Sequence, residues 1–394
     1  MTAIALPRVR RHASLALGTC LLSFAAFWCA QRAAHVSMID LTVYRAEGAT
    51  VRAGGDLYAL RATEARLPTT YPPFAALLFT PLTLLETADL RAPATAVNLV
   101  LLVAFVTLSL RLVGHAHARS VAWVSAAAVW CEPVWTTLRY GQVNLLLGVL
   151  VLHDLTGRPG RRLAGAGIGI AAAVKLTPAL FAVFLLAVGL VDRARRGGTG
   201  ERLRHARGAA VAFTAATLLA AAVLPRDSWH FWTRAVFETG RVGLVEDTAN
   251  QSLRGVLARL LHTAAPGPWW TVTAAVVTVA GLAAAVAAEL RGLRAWSVTA
   301  CAVTALLVSP VSWSHHWVWC VPVTLLLATR GRAAAVAAVA VFCSYAPWWV
   351  PHGPGRLELH QNGAQSALSA LYPAAGCAFL ALLGLRLWRT SRNA

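Results

Sequence analysis

Charged side chains are scarce in this chain of 394 residues, of which 13% are charged and 58% are hydrophobic. Soluble domains usually carry about 25% charged residues. Because so little charge is left to solvate a surface, the composition excludes an ordinary soluble globular protein. The apolar residues fall into runs of roughly 15–22 residues, the length that a helix needs to cross a bilayer. The sequence therefore predicts an all-α polytopic membrane protein.

Lysine is almost absent, since it occurs once, at Lys175, against 34 arginines. In a soluble protein the net charge of +19 would suggest a nucleic-acid partner. Here the arginines sit in short clusters between apolar runs, without the interleaved aromatic residues of a nucleic-acid site. Such clusters are typical of cytoplasmic loops. We therefore expect a plasma-membrane protein that does not bind nucleic acid.

Cofactor motifs are also missing from the sequence. The chain has no GxxxxGK[ST] motif, no GxGxxG loop after a strand, no Asp-x-Asp pair, and no CxxC pair among its seven cysteines. These are the signals for bound nucleotides, metals and redox centres. We therefore expect no cofactor, and the sequence gives no support to a divalent metal.

Thirteen apolar stretches are candidates for membrane spans: 13–30, 72–87, 94–112, 119–133, 141–156, 163–175, 177–191, 207–225, 269–290, 295–309, 315–329, 333–349 and 366–388. Basic flanks place both termini in the cytoplasm, which requires an even number of crossings. We therefore expect about twelve spans, either because 72–87 is re-entrant or because 163–191 forms one long tilted span. This predicts a single integral membrane domain over 1–394, with two long outward-facing loops at 31–71 and 226–268.

Asp40 follows the first predicted span closely, so its carboxylate should lie near the outer membrane surface. Partial desolvation raises the pKa of a carboxylate and makes it a usable general base. Considered alone, Asp40 could equally be a helix cap or an ion-pair partner of Arg45. The motifs that follow it decide between these roles.

Seven short motifs occur in order along the chain. They are Asp40 with Tyr44, Gly-Gly-Asp-Leu-Tyr at 54–58, Tyr-Pro-Pro-Phe at 71–74, Gly-Gln-Val-Asn at 141–144, Lys-Leu-Thr-Pro at 175–178, Asn-Gln-Ser-Leu at 250–253 with Arg259, and Ser-Pro-Val-Ser-Trp-Ser-His-His at 309–316. In this order they resemble the glycosyltransferase-C superfamily. More narrowly, they resemble the actinobacterial polyprenol-phosphate-mannose-dependent α-mannosyltransferases of glycosyltransferase family 87. The resemblance covers residues 38–316 in patches.

The resemblance implies a cell-envelope enzyme whose active site faces the extracytoplasmic side. It would move a mannosyl residue from polyprenyl-phosphate-mannose to a lipid-linked or envelope glycan acceptor, forming an α-1,2 linkage. The family's catalytic base corresponds to Asp40. If the donor is β-linked and the product α-linked, one inverting displacement suffices and no second carboxylate is required.

Two alternatives stay open at the level of sequence. One is another glycosyltransferase that uses a lipid-linked sugar, for example an arabinosyltransferase. The other is a secondary transporter or lipid flippase, since a dozen spans with a few buried charges also fit a transporter. Transporters usually show two related halves, whereas the polar positions here cluster at one membrane face.

Lys175 is the main candidate for binding the donor phosphate, because a cation at membrane depth is costly and usually functional. Pro178 would break the helix beside it. A structural pairing of Lys175 with Glu132 is the alternative, and Arg139 is the next candidate for the phosphate. Gln142 and Asn144 carry both donors and acceptors, which suit sugar hydroxyls.

His315 and His316 lie at a predicted outward turn, where an imidazole could bind the phosphate or a sugar hydroxyl. Alternatively, they belong to an aromatic belt at the membrane interface. The residues that we expect on the acceptor side are Tyr44, Tyr71, Asn250, Gln251 and Arg254. Arg254 and Arg259 could instead be cations on an exposed helix face.

Overall fold

The computed structural model describes residues 6–158, 160–197 and 200–392, and within them the chain is helical. The first nine helices are α1 (Leu6–Ala33), α2 (Ile39–Arg52), α3 (Pro73–Phe79), α4 (Thr87–Leu112), α5 (Ala118–Ala128), α6 (Glu132–Tyr140), α7 (Asn144–Thr156), α8 (Ala166–Val174) and α9 (Ala179–Arg196). The other nine are α10 (Glu201–Val223), α11 (Pro225–Thr233), α12 (Leu253–Leu260), α13 (Gly267–Leu290), α14 (Arg294–Val308), α15 (Cys320–Ala328), α16 (Arg332–Cys343), α17 (Gly363–Ser369) and α18 (Leu371–Arg392).

The remaining regular structure is short. Strand β1 (Arg61–Ala62) pairs antiparallel with β2 (Leu67–Pro68) and forms a small hairpin in the first long loop. Short 3₁₀ segments occur at Thr80–Leu84, Ala235–Phe237, Thr239–Arg241, Ser314–Trp319, Ala346–Trp349 and Leu357–His360. The predicted all-α class is therefore confirmed apart from this hairpin.

Five stretches in the described residues are long and apolar enough to cross a membrane: Ala13–Ala33, Thr87–Leu112, Glu201–Val223, Gly267–Leu290 and Leu371–Thr390. Four shorter apolar helical stretches accompany them, at Pro73–Leu84, Asn144–Thr156, Arg294–Val308 and Arg332–Cys343. The chain is a multi-pass membrane protein. The total of about twelve spans stays a prediction.

Three of the predicted segments differ from their simplest interpretation. The first outward loop contains a helix, α2, which the sequence did not reveal. The stretch 72–87 forms only α3 and one 3₁₀ turn, which are too short to cross a bilayer at 1.5 Å per residue. The stretch 163–191 is not one continuous helix, because Lys175 is extended, with φ −150° and ψ 126°, between α8 and α9. Pro178 accounts for the break, since a proline cannot continue the helix that precedes it.

The two long loops contact each other. Asp227, at the start of α11, accepts a hydrogen bond of 3.0 Å from the backbone N–H of Leu57. Tyr58 stacks on His230 and Phe231, with ring centroids 5.2 and 5.8 Å apart. Leu57 and Tyr58 are almost completely buried by this contact. The two loops therefore pack against each other.

Helices α8 and α10 approach each other more closely than any side chain at their contact would allow. A Cβ added to Gly208 of α10 would lie 2.0 Å from the carbonyl oxygen of Ala164, just before α8. Because the obstacle is backbone, it cannot rotate away as a side chain would. Glycine at this position therefore sets the distance between the two helices.

We predict that Gly208→Ala lowers the thermal unfolding midpoint of the purified protein in detergent, because the added methyl group forces α8 and α10 apart. Overpacking of this kind typically costs about 1–3 kcal/mol. The matched control is Gly384→Ala in α18, where no atom lies within 4 Å of the added Cβ. That change should stabilise the helix slightly. Equal midpoints for the two variants would contradict the tight contact.

Candidate active site

The candidate site forms where α2 meets the connection between α6 and α7. Gly141 ends α6 in the left-handed region, with φ 69°. A Cβ at this position would lie 2.8 Å from the Cβ of Leu41 on α2. Glycine therefore both ends α6 and allows α2 to approach. As a result, Gln142 comes within hydrogen-bond distance of the side chains of α2.

Neither of the structural roles considered for Asp40 is observed. Asp40 lies in the first turn of α2, but the N-cap of this helix is Met38. Arg45 pairs with Glu86 at 3.1 Å and donates a second hydrogen bond to the carbonyl oxygen of Leu85. Asp40 is thus left half-buried at the side of α2 that contacts Gln142.

Burial raises the pKa of Asp40 to about 6, although a hydrogen bond from Gln142 and the charge of Lys175 both lower it. A carboxylate with this pKa is largely ionised at neutral pH. It is also a stronger base than an exposed aspartate, whose pKa is about 3.9. Asp40 therefore has the electrostatic properties of a general base.

Gln142 is held by two tyrosines. Its Oε1 accepts hydrogen bonds of 2.7 Å from Tyr44 and 3.1 Å from Tyr71, and the two hydroxyl oxygens are 2.9 Å apart. Because its oxygen is occupied in this way, the amide nitrogen of Gln142 is directed to Asp40. Tyr44 lies fully buried behind Gln142, so the structure does not bring it to the surface where an acceptor would bind.

Lys175 points into the same region from the break between α8 and α9. Its Nζ lies 3.2 Å from Oδ1 of Asn144 and 2.8 Å from Nε2 of His316. It also lies 5.6 Å from the ring centroid of Tyr71, a cation–π distance. The contacts of Lys175 thus join it to three of the predicted site residues.

The two histidines belong to the 3₁₀ turn Ser314–Trp319. The carbonyl oxygen of His315 accepts hydrogen bonds of 2.7 Å from Thr137 and 2.9 Å from Asn144. The two imidazole rings are nearly perpendicular, with centroids 4.8 Å apart. His315 is buried and its Nε2 has no hydrogen-bond partner in the described residues, whereas His316 is half-buried. Both rings therefore lie inside the protein and not in an exposed aromatic belt.

Glu132 anchors this turn and is not available to Lys175. Its carboxylate accepts hydrogen bonds from Thr136 at 2.8 Å, Ser314 at 2.8 Å, Trp348 at 3.0 Å and Tyr372 at 2.9 Å. The side chain is completely buried. The alternative pairing of Lys175 with Glu132 is therefore wrong, because neutral donors already occupy that carboxylate.

Two cavities meet at Lys175 and His316. The first, which we term the apolar groove, has about 490 Å³ of empty space between α7, α9 and α14. Its lining includes Leu147, Val151, Phe181, Leu306 and Trp319. The second, termed the loop cleft, has about 840 Å³ of empty space beneath the two long loops. Its lining includes Tyr58, Tyr71, Phe231, Arg241 and Ser309.

Asn250 and Gln251 are not brought to either cavity. Both are fully buried. The Oδ1 of Asn250 accepts a 3.0 Å hydrogen bond from the backbone of Ser312, and its Nδ2 donates to the carbonyl oxygen of Val245 at 2.8 Å. The Nε2 of Gln251 donates to the carbonyl oxygen of Ser369 at 2.7 Å. These contacts hold the histidine turn against the second loop.

Three arginines named by the sequence lie apart from the two cavities. Arg259 is buried and donates to four backbone carbonyl oxygens, so it stabilises the second loop. Arg254 is half-buried on α12. Arg139 is exposed, with its guanidinium 5.9 Å from the ring centroid of Tyr140. None of the three lines the groove or the cleft.

Glu47 and Arg241 are two further residues that the sequence did not indicate. Glu47 follows Asp40 by seven positions on α2 and is completely buried. Burial and the charge of Asp40 together raise its pKa to about 8, although a hydrogen bond from Thr69 lowers it. Arg241 lines the loop cleft and donates a 2.6 Å hydrogen bond to the carbonyl oxygen of Tyr58. The spacing of Asp40 and Glu47 would have been informative had the loop been recognised as helical.

This arrangement suits the transfer of a group from a lipid-linked anion. A basic carboxylate lies close enough to a lysine for the lysine charge to lower its pKa, and that lysine contacts a histidine. The lysine and the histidine can stabilise a leaving phosphate. The apolar groove extends from these two side chains on one side, and the larger loop cleft on the other. Within the residues that the structure describes, no group of three or more His, Cys, Asp or Glu side chains is arranged to hold a metal ion.

Comparison with known proteins identifies a family over most of the chain. A model of glycosyltransferase family 87 matches residues 70–310. A Mycobacterium tuberculosis protein named polyprenol-phosphate-mannose-dependent alpha-(1-2)-phosphatidylinositol pentamannoside mannosyltransferase is 35% identical over 301 residues, which are 74% of this chain and 66% of that protein. The chain thus spans slightly less than two thirds of the length of this relative.

Two other relatives are matched over a larger part of their length. Both are named polyprenol-phosphate-mannose-dependent alpha-(1-2)-phosphatidylinositol mannoside mannosyltransferase. The Mycobacterium tuberculosis protein is 34% identical over 79% of this chain and 76% of its own length. The Mycolicibacterium smegmatis protein is 35% identical over 79% of this chain and 75% of its own length.

A solved structure shows a more distant similarity. It is a crystal structure of ArnT from Cupriavidus metallidurans bound to undecaprenyl phosphate. The similarity covers 97% of this chain and 78% of that chain, with 15% identity and a TM-score of 0.42.

We predict that Glu132→Gln lowers the thermal unfolding midpoint in detergent. The amide oxygen can keep the three donors of Oε1, but the contact with Tyr372 must reverse and every hydrogen bond becomes a weaker neutral one, at a cost of about 1–3 kcal/mol. The control is Glu86→Gln, which removes an exposed ion pair and should change stability by less than about 1 kcal/mol. An unchanged midpoint in Glu132→Gln would show that this carboxylate does not hold the turn.

Proposed function

The chain belongs to glycosyltransferase family 87, and from this premise we propose that it moves a mannosyl residue from polyprenyl-phosphate-mannose to a phosphatidylinositol mannoside. The new bond is an α-1,2 linkage, as in the names of the relatives. The acceptor class is likewise inferred from those names.

The main support for this proposal is that the apolar groove and the loop cleft meet at Lys175 and His316. The isoprenoid chain of the donor is apolar and occupies the apolar groove. Its phosphate then lies at Lys175 and His316, where the groove ends. The mannosyl residue extends into the loop cleft at Tyr71, and the acceptor enters through the same cleft.

Asp40 and Gln142 do not line this cleft, but Gln142 contacts both Tyr71 and Asp40 just beyond it. Asn144 and Gln142 use their side-chain groups within the fold, on Lys175 and on Asp40, so in this proposal they position the reacting groups and do not bind sugar hydroxyls.

Asp40 is the general base of this reaction. It accepts the proton of the acceptor hydroxyl as the oxygen attacks the anomeric carbon. The bond from this carbon to the phosphate oxygen breaks, and its electrons leave with polyprenyl phosphate. With a β-linked donor, one such displacement gives the α-linked product.

Lys175 and His316 stabilise the leaving group. The donor phosphate carries one negative charge, and a second develops as the glycosidic bond breaks. A cation at this position therefore stabilises the transition state more than the bound donor, which is what raises turnover. Tyr71 supports the position of Lys175 through its ring and that of Gln142 through its hydroxyl.

We further propose that the site faces the extracytoplasmic side of the plasma membrane. The clusters of arginine between apolar runs mark the cytoplasmic loops. Asp40, the two histidines and both long loops then lie on the opposite side. A phosphatidylinositol mannoside in the outer leaflet would reach the loop cleft from that side.

The proposal is tested with purified protein, radiolabelled polyprenyl-phosphate-mannose and defined phosphatidylinositol mannosides in mixed micelles. We expect a product with one more mannose, whose new bond is cut by an α-1,2-mannosidase. Polyprenyl-phosphate-arabinose serves as the comparison donor. Transfer of arabinose without mannose would assign the chain to a different lipid-linked sugar, and no transfer from either donor would contradict the proposed reaction.

Asp40→Asn should reduce turnover by about 10²–10⁴-fold, because the amide cannot accept the proton of the acceptor hydroxyl. Donor binding should persist, since the change preserves the size of the side chain. Asp89→Asn is the control, an exposed aspartate in the first turn of α4, and should transfer at the wild-type rate. Comparable rates in the Asp40 and Asp89 variants would remove Asp40 from the mechanism.

The pH dependence of kcat/KM should follow the ionisation of Asp40. Its pKa is raised to about 6, and only the ionised form is a base. The value of kcat/KM is therefore expected to fall tenfold per pH unit below about 6. Initial rates between pH 4.5 and 7.5 measure this. A profile that stays flat down to pH 4.5 would mean that a group with an ordinary carboxylate pKa, or no base, limits the rate.

A further inference from the structure

The hydrogen bonds around His316 determine where its proton lies. The backbone N–H of Trp313 donates to Nδ1 of His316 at 3.2 Å, so Nδ1 carries no proton. A neutral imidazole then carries its proton on Nε2. This Nε2 lies 2.8 Å from Nζ of Lys175. In this contact the histidine is the donor, and the lysine nitrogen must accept.

The N–H of Trp313 cannot easily turn away from His316, because both neighbouring residues are anchored to the second loop. The N–H of Ser314 donates to the carbonyl oxygen of Ala249 at 2.7 Å. The carbonyl oxygen of Ser312 accepts from the N–H of Gln251, also at 2.7 Å. The backbone on both sides of Trp313 is therefore fixed, and with it the form of the imidazole.

Asn144 fixes the other contact of Lys175. Its Nδ2 donates to the carbonyl oxygen of His315 at 2.9 Å, so its Oδ1 faces Lys175 and can only accept. A neutral amine satisfies both neighbours, because it donates to Asn144 and accepts from His316. An ammonium group has no lone pair, and one of its protons would point at the N–H of His316.

We propose that Lys175 is a neutral amine before the donor binds, and that binding of the donor phosphate is accompanied by the uptake of one proton from water onto Nζ. The lone pair of Nζ takes this proton, and no other bond is made or broken. Lys175 and His316 then both donate to phosphate oxygens. This inference rests on the proposed function for the identity of the ligand.

The advantage of this proton uptake is that Lys175 becomes charged only when the donor phosphate is present. A partly buried ammonium beside a hydrogen-bond donor is unfavourable by itself. Once the phosphate is present, the same ammonium is paired, and its charge opposes the one that develops on the leaving group. The site therefore avoids an uncompensated cation in the absence of donor and still provides one during the reaction.

Other ionisable groups face Lys175 and could contribute protons. Asp40 approaches from α2, and its charge favours the ammonium form. Tyr71 contacts it from the segment before α3, and His315 lies behind His316. Across the loop cleft, Arg241 pairs with Glu238 at 3.3 Å. A test must therefore assign the proton to Lys175 itself.

Isothermal titration calorimetry provides the first measurement. Wild-type protein without acceptor is titrated at pH 8 with a short-chain prenyl-phosphate-mannose, a phosphodiester whose own charge is constant at this pH. The titration is repeated in HEPES and in Tris, whose ionisation enthalpies differ. The apparent enthalpies should differ by an amount that corresponds to about one proton taken up per donor bound. Equal enthalpies in the two buffers would overturn the proposal.

Lys175→Arg assigns the proton. A guanidinium is charged throughout the accessible pH range, so this variant should bind the donor, more weakly, with no difference between the buffers. Proton uptake that persists in Lys175→Arg would place the proton on another group and refute the assignment. If this variant does not fold, the wild-type affinity decides, since it should weaken toward tenfold per pH unit at alkaline pH. An affinity that is constant from pH 7 to 9.5 would contradict the proposal.

Failure of this inference can be distinguished from failure of the proposed function. If the protein takes up a proton on binding the donor but transfers no mannose, the inference is supported and the proposed reaction is contradicted. If the protein transfers mannose but binds the donor without proton uptake, the proposed reaction is supported and the inference is contradicted.

Discussion

The burial of the Glu132 carboxylate is the constraint on which the site depends. A buried carboxylate is costly unless its oxygens are hydrogen-bonded, and here it receives four donors. These donors come from α6 itself, the histidine turn, the 3₁₀ turn Ala346–Trp349 and α18. The requirement to satisfy one charge thus brings four separate parts of the chain to one point. The position of His316 beside Lys175 follows from that assembly.

A second set of contacts fixes the same turn from the other side. Asn250 and Gln251, with the buried guanidinium of Arg259, use side-chain donors and acceptors on backbone groups. Irregular backbone needs such partners because it lacks the internal hydrogen bonds of a helix. The polar residues of the second loop therefore act on the site through the backbone of the turn.

The sequence predicted the helical class, the family and most of the residues that meet at the site. Asp40, Gln142, Asn144, Lys175 and His316 come together, although they are spread over most of the chain. Their signal was polarity in an apolar context, which is costly and therefore informative.

The residues whose roles were not predicted correctly from the sequence have a common physical cause. Asn250, Gln251 and Tyr44 are polar in the same way as the site residues, but they bond to other parts of the protein. A sequence does not distinguish a polar group that is available to bind a ligand from one whose hydrogen bonds are already made within the protein. Helix α2 was missed because its mixed polarity matches that of a loop, and Glu47 was missed with it. Only the three-dimensional partners of each group separate these cases.

The sharing of Lys175 and His316 by two cavities has a consequence for inhibition. A molecule with a short apolar tail, a phosphonate and a sugar-like head would occupy the groove and the cleft at once. Joining the two fragments makes the second binding event intramolecular, so affinity could exceed that of either fragment by orders of magnitude. By the proposed reaction, a fragment for the groove would compete with the donor, whereas a fragment for the cleft would compete with the mannosyl residue and the acceptor. The junction is therefore where an inhibitor that joins the two fragments should place its linker.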